Sequence, residues 1–295
     1  MRDHFFKYTD IQTAGAILGS QRLRYSSPLN FNDPFDIQNE LTPDFNLNDF
    51  PDATMKVVEQ YVKNDYPMPN AEDGFSKAIL IMREKSKTQG YKKAEIEAIT
   101  YPLLGHLLGE VNFLISQVNS HWHNSMRDSR VFCVTENNDN LLMWAHYAKD
   151  HTGAVFQLAT LPESDTPLSV AKKVKYKEKP VRFYSLDELI KWTLFDIEPD
   201  PARLQFSNHA YRKSKIWRYE EEWRVVDMCH YENKNDLYVD HKFIPQQLQK
   251  IFFGCKANSE DISRLRGLAE NINPQVEFYK AKKLKLEYAL GFEKI

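Results

Sequence analysis

The sequence predicts an α+β fold, in which a mixed or antiparallel sheet packs with helices and carries a helical insertion. Three observations support this fold class. The chain opens with a strand-helix-strand pattern, and it closes with a β-α-β pattern that begins near residue 249. Between them, residues 50–127 show helical periodicity with few β-branched clusters. Because we find no internal repeat and no flexible linker, we expect a single domain over residues 1–295.

Local patterns predict the first elements. The run HFFKY at residues 4–8 favours a strand because aromatic residues fit a pleated surface. Thr9 and Gln12 have the spacing of a capping box, so we expect a helix to begin there and Gly19 to end it. A second strand is expected at residues 23–26, followed by the turn residues of SPLNFNDPFD.

The later elements are predicted from the same kinds of pattern. Strands are expected at residues 131–135 and 153–158, weaker strands at 172–176 and 181–184, and helices at 140–148 and 187–195. In the closing β-α-β unit, Ser259 is the expected N-cap of the helix.

Composition limits the possible partners and the compartment. With 42% hydrophobic residues the chain is globular, and a net charge of −2 gives no global field that attracts nucleic acid or an anionic membrane. Cys133, Cys229 and Cys255 are far apart, which indicates reduced thiols. The first residues lack a signal pattern, and the apolar helix at residues 103–115 is too short and too polar to span a bilayer. We therefore expect a soluble cytoplasmic protein without a membrane partner.

Several common site motifs are absent from the sequence. The ten glycines form neither phosphate-binding fingerprint and no nucleophile elbow. His121 and His123 would point to different faces of a helix, and the cysteines lack the Cys-x-x-Cys spacing of zinc sites. The sequence therefore predicts no metal site.

The stretch WRYEEEWRVV at residues 217–226 carries charge where a strand is expected. Its aromatic and β-branched residues favour a strand, and alternation then puts Arg218, Glu220, Glu222 and Arg224 on one face. The remaining glutamate of the triplet would lie on the opposite face with the two tryptophans. The charged face is either a solvated row of exposed ion pairs or the lining of a cleft.

Three other groups of polar residues suggest a cleft. They are Lys7, Tyr8 and Thr9 at the end of the first strand, Tyr25, Ser26 and Ser27 with Asn32 and Asp33 of the turn FNDPFD, and Trp144, His146 and Tyr147 in the helix at 140–148. Each group alone is ordinary for a strand, a turn or a core helix. Together with the charged row, four such groups favour one shared site.

Three motifs resemble, in this order, the signature of a large and mostly uncharacterised bacterial family of domains of unknown function. They are FNDPFD, DNLLMWAHYAKDHTG and WRYEEEWR, and the resemblance covers nearly the whole chain. The order of elements is also similar to that of ADP-ribosyltransferases, particularly those that modify DNA or RNA. The resemblance implies an ADP-ribosyltransferase-like fold with NAD as the substrate and no metal.

The resemblance implies which residues contact NAD. Its first two motifs fall at Lys7, Tyr8 and Thr9 and at Thr135, Trp144 and Tyr147; the shared cleft adds Tyr25, Ser27, Asn32 and Asp33, and Arg224 is a candidate contact of the diphosphate. An aromatic residue at the position of Trp144 would stack on nicotinamide. The family usually has His or Arg near the position of Lys7, and a lysine does not bind bidentately as arginine does.

The Glu-x-Glu motif at residues 220–222 would carry the chemistry. Cleavage of the bond between nicotinamide and ribose develops positive charge on the sugar, so a fixed carboxylate stabilises the transition state. We assign this role to Glu222, and to Glu220 the orientation or deprotonation of the acceptor. Arg218 and Arg224 would keep the carboxylates ionised or contact the diphosphate.

The expected function is therefore that of an NAD-consuming ADP-ribosyltransferase-like enzyme. Its acceptor would be a macromolecule, either nucleic acid or protein, in bacterial defence or as a toxin. One alternative is a catalytically silent module that binds a nucleotide or nucleic acid, which Lys7 in place of His or Arg favours. A second alternative is a metal-dependent nuclease in which acidic residues with Lys213 and Lys215 hold the metal; a chelator would abolish its activity.

Overall fold

The computed structural model of the protein describes residues 2–38, 45–68, 72–180, 184–200, 206–228 and 236–295. The α+β class is confirmed, because a mixed sheet is combined with helices. The chain divides into two compact units. Unit 1 comprises Met1–Gln38, Ser125–Pro180 and His209–Ile295, and unit 2 comprises Asn39–Asn124 and Val181–Asn208. The predicted insertion at 50–127 falls mostly in unit 2. This unit also includes the later segment Val181–Asn208, which was not predicted to belong with the insertion.

The strands, in chain order, are β1 (His4–Thr9), β2 (Arg22–Ser26), β3 (Arg130–Thr135), β4 (Ala154–Ala159), β5 (Lys172–Lys173), β6 (Lys175–Lys177), β7 (Arg212–Ser214), β8 (Glu222–Asp227), β9 (Tyr238–Lys242), β10 (Leu248–Phe253), β11 (Glu277–Lys283) and β12 (Leu290–Lys294). The helices are α1 (Ile11–Ser20), α2 (Phe50–Lys63), α3 (Gly74–Gln89), α4 (Lys93–Thr100), α5 (Leu104–Asp128), α6 (Leu141–His146), α7 (Leu186–Phe195), α8 (Phe206–Ala210) and α9 (Ser259–Ile272).

One large sheet organises unit 1. Among the described residues its order is β12-β11-β10-β4-β1-β3-β2-β9, with β8 on β3 and β5 on β8. Strands β10 and β11 run parallel, as the closing β-α-β pattern predicts, and the other pairs in this sheet are antiparallel. Strands β6 and β7 form a separate parallel pair.

Side-chain alternation gives this sheet two different faces. Phe5, Phe132 and Phe156 point to one face and form a core with Leu18 of α1 and Leu265 of α9. Full burial of side chains of this size contributes about 1.5–3 kcal/mol each. On the other face, one half packs against α6 through an apolar cluster, and the other half carries buried charged groups. The candidate site lies on that second half.

Helices build unit 2. Tyr61 of α2 stacks on Phe195 of α7, with ring centroids 4.1 Å apart. Arg83 of α3 is buried, and its guanidinium donates to the carbonyl oxygens of Tyr61 and Tyr66 at 2.7 and 3.2 Å. These bonds allow a charged side chain to lie inside a helical core, because buried donors are paired.

One helical stretch is longer than expected. Among the described residues, the helical stretch Lys93–Asp128 is long and apolar enough to cross a membrane by length and composition. The prediction that the apolar helix at 103–115 is too short is therefore wrong, because α5 continues to Asp128. Length and composition alone do not place a helix in a bilayer.

The helix caps differ from the predicted ones. The N-cap of α1 is Asp10, not Thr9, because the Asp10 carboxylate accepts the N–H groups of Gln12 and Thr13 at 2.8 and 2.9 Å. The helix passes Gly19 and ends at Ser20, and its C-cap Gln21 takes the left-handed conformation. Likewise, the N-cap of α9 is Asn258 and not Ser259.

Some strand predictions differ as well. Strands β9 and β12 were not predicted, and residues 172–176 divide into two short strands, β5 and β6. Most of the strand expected at 181–184 lies outside the described residues, and so does Cys229. Within the described part of the chain, Cys133 and Cys255 are free thiols, as expected.

Candidate functional site

The three neighbouring glutamates do not lie on one strand, so the prediction of a continuous strand at 217–226 is wrong. Residues Lys215–Glu220 form a 3₁₀ turn, Glu221 has φ 45°, and β8 begins only at Glu222. The left-handed residue interrupts the pleat, so alternation cannot be counted across it. As a result Arg218 is exposed and leaves the predicted row, whereas Glu220 and Glu222 are both buried.

Side chains from other elements hold this turn. Thr135 Oγ1 donates to the carbonyl oxygen of Glu220 at 2.5 Å, and Asn140 Nδ2 donates to that of Tyr219 at 2.7 Å. The backbone N–H of Glu222 donates to the Tyr176 hydroxyl at 2.8 Å. The polypeptide is therefore fixed on both sides of its left-handed residue, which sets the directions of the two carboxylates.

The register of β8 on β3 builds the floor of the site. Thr135 pairs with Glu222, and Cys133 pairs with Arg224, so these four side chains share one face of the sheet. The intervening Trp223 packs against the core on the other face, to which the next residue, Val225, also belongs. The predicted common face of Glu222 and Arg224 is therefore confirmed. It is not a solvated row, because Arg224 is fully buried.

Arg224 uses its guanidinium entirely within the protein. Nε and Nη2 donate to the two carboxylate oxygens of Glu222 at 2.7 and 2.9 Å, and Nη2 also donates to Asp36 Oδ2 at 2.6 Å. Nη1 donates to the carbonyl oxygen of Ala210 at 2.8 Å. The prediction that Arg224 contacts a diphosphate therefore has no support in this geometry; its position instead orients Glu222.

Lys213 lies between three carboxylates. Its Nζ is 2.5 Å from Glu220 Oε2, 3.2 Å from Glu222 Oε2 and 3.3 Å from Asp36 Oδ2. With Arg224, the cluster holds two cations and three carboxylates, so its formal charge is −1 when all five groups are ionised. From the sequence, Lys213 was expected only as a metal-site residue, so this role was not predicted.

The pKa values of the two glutamates of the cluster are shifted in opposite directions. Burial opposes ionisation of Glu222, but Arg224 and Lys213 outweigh it and hold its pKa well below the usual range. For Glu220 burial dominates, and together with the Glu222 charge it raises the pKa despite Lys213. The carboxylates of Glu222, Asp36 and Glu220 overcome the effect of burial on Lys213 and raise its pKa, so it stays protonated.

Tyr147 adds a neutral donor to Glu220. Its hydroxyl donates to Glu220 Oε1 at 2.5 Å, and burial raises the pKa of this phenol, so it remains protonated. The side chain of Asn140 caps α6 by accepting the N–H groups of Leu142 and Met143. The cap fixes the short helix, and the helix end carries Tyr147 to the glutamate.

A cavity of about 410 Å³ lies above this cluster. It is lined by seven of the residues predicted for the site, which are Lys7, Tyr8, Asn32, Thr135, Tyr147, Glu220 and Glu222. Other lining residues include Arg24, Phe31, Asp36, Cys133, His146 and Lys213. A cavity of this size falls within the range of small-molecule sites.

The cavity forms where two strands separate along one edge of β3. Strand β8 pairs with all of β3 on its other edge, while β1 contacts β3 only at Thr135 and β2 contacts it only at Val131. Between these two points the β3 edge has no strand partner among the described residues. Lys7 Nζ donates to the Cys133 carbonyl oxygen there at 3.0 Å. The lysine thus satisfies a backbone acceptor at the cavity wall.

Trp144 does not line the cavity, which corrects its predicted role. It is fully buried, its Nε1 donates to the Asn138 carbonyl oxygen at 2.7 Å, and its ring packs edge-on against Tyr8. A ligand in the cavity meets Tyr8 and not the tryptophan behind it. Stacking of Trp144 on nicotinamide is therefore incompatible with this arrangement.

Four further predicted residues are structural. Tyr25 points to the core face and stacks on Phe132, and Thr9 is buried at the end of β1. Ser27 Oγ donates to the Met126 carbonyl oxygen, and Asp33 Oδ1 accepts the N–H of Phe35 in an Asx-turn. Their predicted contacts with NAD are not supported, because these side chains are either buried on a strand or engaged in hydrogen bonds within the protein.

Neither Asp36 nor His146 was predicted to contact NAD. Asp36 is the last residue of FNDPFD, in which only Asn32 and Asp33 were predicted to contact NAD. His146 follows the apolar stripe of α6, and its Nδ1 lies 3.0 Å from the Tyr219 hydroxyl. The FNDPFD motif indicated the right segment for Asp36, but only the fold shows that its side chain is buried beside Arg224.

No cluster of three or more His, Cys, Asp or Glu side chains in the described part of the chain is arranged to hold a metal ion. At the candidate site, the position between the carboxylates holds the ammonium group of Lys213.

Comparison with known protein families gives a match over part of the chain. Residues 143–225 match a family described as a protein of unknown function (DUF2971). The matched segment contains Tyr147, Lys213, Glu220, Glu222 and Arg224, so an uncharacterised domain family covers most of the ionic cluster. No curated protein and no solved structure matches the chain.

Proposed function

We propose that this protein is an NAD-consuming ADP-ribosyltransferase-like enzyme that acts on a macromolecular acceptor, in a defence or toxin role. The observation that carries the proposal is the pair Glu220 and Glu222, which share Lys213 while their pKa values are displaced in opposite directions. Pairs of carboxylates with separated pKa values are typical of sites where one stays charged and the other exchanges protons.

Glu222 supplies the fixed charge. Its low pKa keeps it ionised, and Arg224 holds both of its oxygens in place before any substrate arrives. The five-group cluster keeps one formal negative charge, so positive charge on a nearby ribose is stabilised without reorganisation. Arg224 and Lys213 are positioning residues in this account, because they act through the carboxylates.

Glu220 supplies the base. Its raised pKa makes the carboxylate a better proton acceptor than an ordinary glutamate, and it lines the cavity. Tyr147 and Lys213 hold its two oxygens, which fixes the direction of attack by the acceptor. Proton removal from the acceptor follows the weakening of the bond between nicotinamide and ribose.

The diphosphate requires cations outside the ionic cluster. Among the described residues, Lys7 and Arg24 are the cations that line the cavity apart from Lys213. Arg24 is about half exposed and paired with Asp240 at 2.9 Å, so it can exchange this partner for a phosphate at little cost. The nicotinamide ring then lies toward Tyr147, in place of the stacking first expected at Trp144.

Both alternative functions predict different behaviour of the same cavity. A nuclease would need a metal ion where Lys213 Nζ now lies, so its activity would depend on displacing this lysine. A silent binding module would bind a nucleotide without consuming it. The geometry favours the transferase over both alternatives. Lys213 Nζ takes the position that a metal ion would need, and a silent binding module gains nothing from two carboxylates with separated pKa values.

The direct test is incubation of the purified protein with NAD labelled on its adenylate part. We expect release of nicotinamide, transfer of label to a macromolecule when mixed cell extract is present, and no effect of a chelator. Loss of activity with chelator would support the nuclease alternative. Binding of NAD without nicotinamide release under both conditions would overturn the enzymatic proposal and leave the binding module.

A further inference from the structure

Asp36 has one carboxylate oxygen to which no described residue donates a hydrogen bond. Its Oδ2 accepts from Arg224 at 2.6 Å and lies 3.3 Å from Lys213 Nζ. Its Oδ1 is buried and has no hydrogen-bond partner among the described residues, and the residue as a whole is only 2% exposed. A buried acceptor without a partner is costly, and such atoms in native proteins call for an explanation.

The unused oxygen belongs to a residue that lines the cavity. We infer that Asp36 Oδ1 accepts a hydrogen bond from a hydroxyl group of the ribose whose bond to nicotinamide is broken. This inference rests on the proposed function, and it adds a specificity-determining residue that the sequence analysis did not include.

The geometry of the cluster favours the ribose over other parts of the ligand. Asp36, Glu220 and Glu222 all approach the same ammonium group of Lys213 within 3.3 Å. The three carboxylates therefore lie within about the width of one sugar ring. If Glu222 faces the anomeric carbon, the donors of NAD nearest to Asp36 are the hydroxyl groups of that same sugar.

Charge excludes the anionic parts of the ligand from this position. The cluster has a formal charge of −1, and a phosphate oxygen beside Asp36 Oδ1 would add like-charge repulsion and offer no proton. A hydroxyl group donates one hydrogen bond and carries no charge, so it satisfies the buried acceptor without new repulsion. The subsite thus selects a ribose that retains its hydroxyl groups.

Such a subsite discriminates strongly against a sugar that lacks the hydroxyl group. A site built to bind a substrate hydroxyl rejects an analogue without it, because the buried polar group is then left unpaired. Hydrogen bonds to charged groups are among the stronger ones, so we expect roughly 10- to 100-fold weaker binding of the deoxy analogue.

The test measures binding of NAD and of two analogues that lack the 2′- or the 3′-hydroxyl of the nicotinamide ribose. With the wild-type protein, calorimetry should show the roughly 10- to 100-fold loss for one analogue. With Asp36→Asn, which keeps the shape but removes the charge, this ratio between NAD and the analogue should shrink several-fold. A merely structural role of Asp36 would lower both affinities together and leave the ratio unchanged.

The outcomes separate this inference from the function on which it rests. Equal binding of NAD and both analogues by the wild-type protein would overturn the role of Asp36 and leave the NAD proposal intact. No binding of NAD at all would overturn both. The wild-type comparison can overturn the inference even if Asp36→Asn does not fold.

Discussion

Two carboxylates two residues apart, Glu220 and Glu222, are held in different ways. Glu222 begins strand β8 and receives both of its main contacts from Arg224, a side chain on the same strand and the same face. Glu220 ends a 3₁₀ turn and receives its contacts from Tyr147 and Lys213, which lie on other elements. Glu222 is therefore part of the sheet, whereas Glu220 is positioned by the elements around the cavity.

The left-handed residue between them explains the difference. Because Glu221 has φ 45°, the backbone turns before the strand begins, and the two carboxylates approach Lys213 from different directions. A regular strand would have placed them side by side with the same environment. The interruption allows one of them to be a fixed charge and the other a proton acceptor.

The largest effect is expected from removing the partner of the fixed charge. Arg224→Met leaves Glu222 and Asp36 as buried carboxylates without their guanidinium, which should cost about 3–5 kcal/mol of unfolding free energy. Urea unfolding measures this loss. Arg218→Met, an exposed control from the same motif, should stay within about 0.5 kcal/mol. Similar small changes in both variants would contradict a buried ionic cluster.

The same fixed charge predicts how stability depends on acid. The pKa of Glu222 is lower in the folded than in the unfolded state, so its contribution is fully present above the unfolded value of about 4.3 and is lost as the pH falls below it. Glu220, with a raised pKa, contributes in the opposite direction, since ionisation at higher pH disfavours the folded state. Unfolding curves of wild type and Glu222→Gln should therefore converge at acidic pH. If the unfolding free energies of the two proteins instead differ by the same amount at acidic and neutral pH, the low pKa of Glu222 is contradicted.

The proton acceptor should be revealed by a different readout. Glu220→Gln should lower transfer to the acceptor by roughly 100-fold, while hydrolysis of NAD falls less, because the base acts after the glycosidic bond weakens. In the wild type, transfer should rise with pH through the raised pKa of Glu220, and the variant should lose this dependence. Equal losses of transfer and hydrolysis would assign Glu220 to bond cleavage instead.

A smaller effect is expected at Tyr147. Its hydroxyl donates to Glu220 and favours the ionised carboxylate, so Tyr147→Phe should raise the pKa of Glu220 further. The pH dependence of transfer should then move to higher pH, with a loss of about tenfold at neutral pH. A pH profile that does not move would show that the phenol has no part in the titration of this glutamate.

Much of the fold follows from local sequence patterns. Strands β1, β3, β4 and β10 and helix α7 lie close to their predicted bounds, because alternation and caps are properties of neighbouring residues. Strands β9 and β12 were missed, since edge strands with many polar residues lack a clear apolar alternation. Cap identity also depended on competition between adjacent polar residues, as at Thr9 and Asp10.

The site was predictable only in part. Glu220, Glu222 and Tyr147 were found because their motifs place charged or polar groups in apolar runs. The turn at Glu221 was not, because aromatic and β-branched neighbours favour a strand and the hydrogen bonds that impose the turn come from distant Thr135 and Asn140. For the same reason Asp36 was missed and Trp144 was given a ligand contact. Which face a side chain occupies depends on long-range pairing.

The three glutamates provide their own controls for the central claim. Each is changed singly to Gln, which keeps the shape and removes the charge. Glu221 contacts Asn137 and lies outside the ionic cluster, so Glu221→Gln should behave like the wild type. Unfolding curves recorded for each variant separate lost folding from lost catalysis.

The decisive measurement is the initial rate of nicotinamide release from NAD by these variants. We expect a loss of about 10²–10³-fold for Glu222→Gln, as when one preorganised electrostatic group is removed, a smaller loss for Glu220→Gln, and none for Glu221→Gln. Equal and small effects at all three positions, with folded variants, would contradict the account and leave the cluster a purely structural set of buried ion pairs.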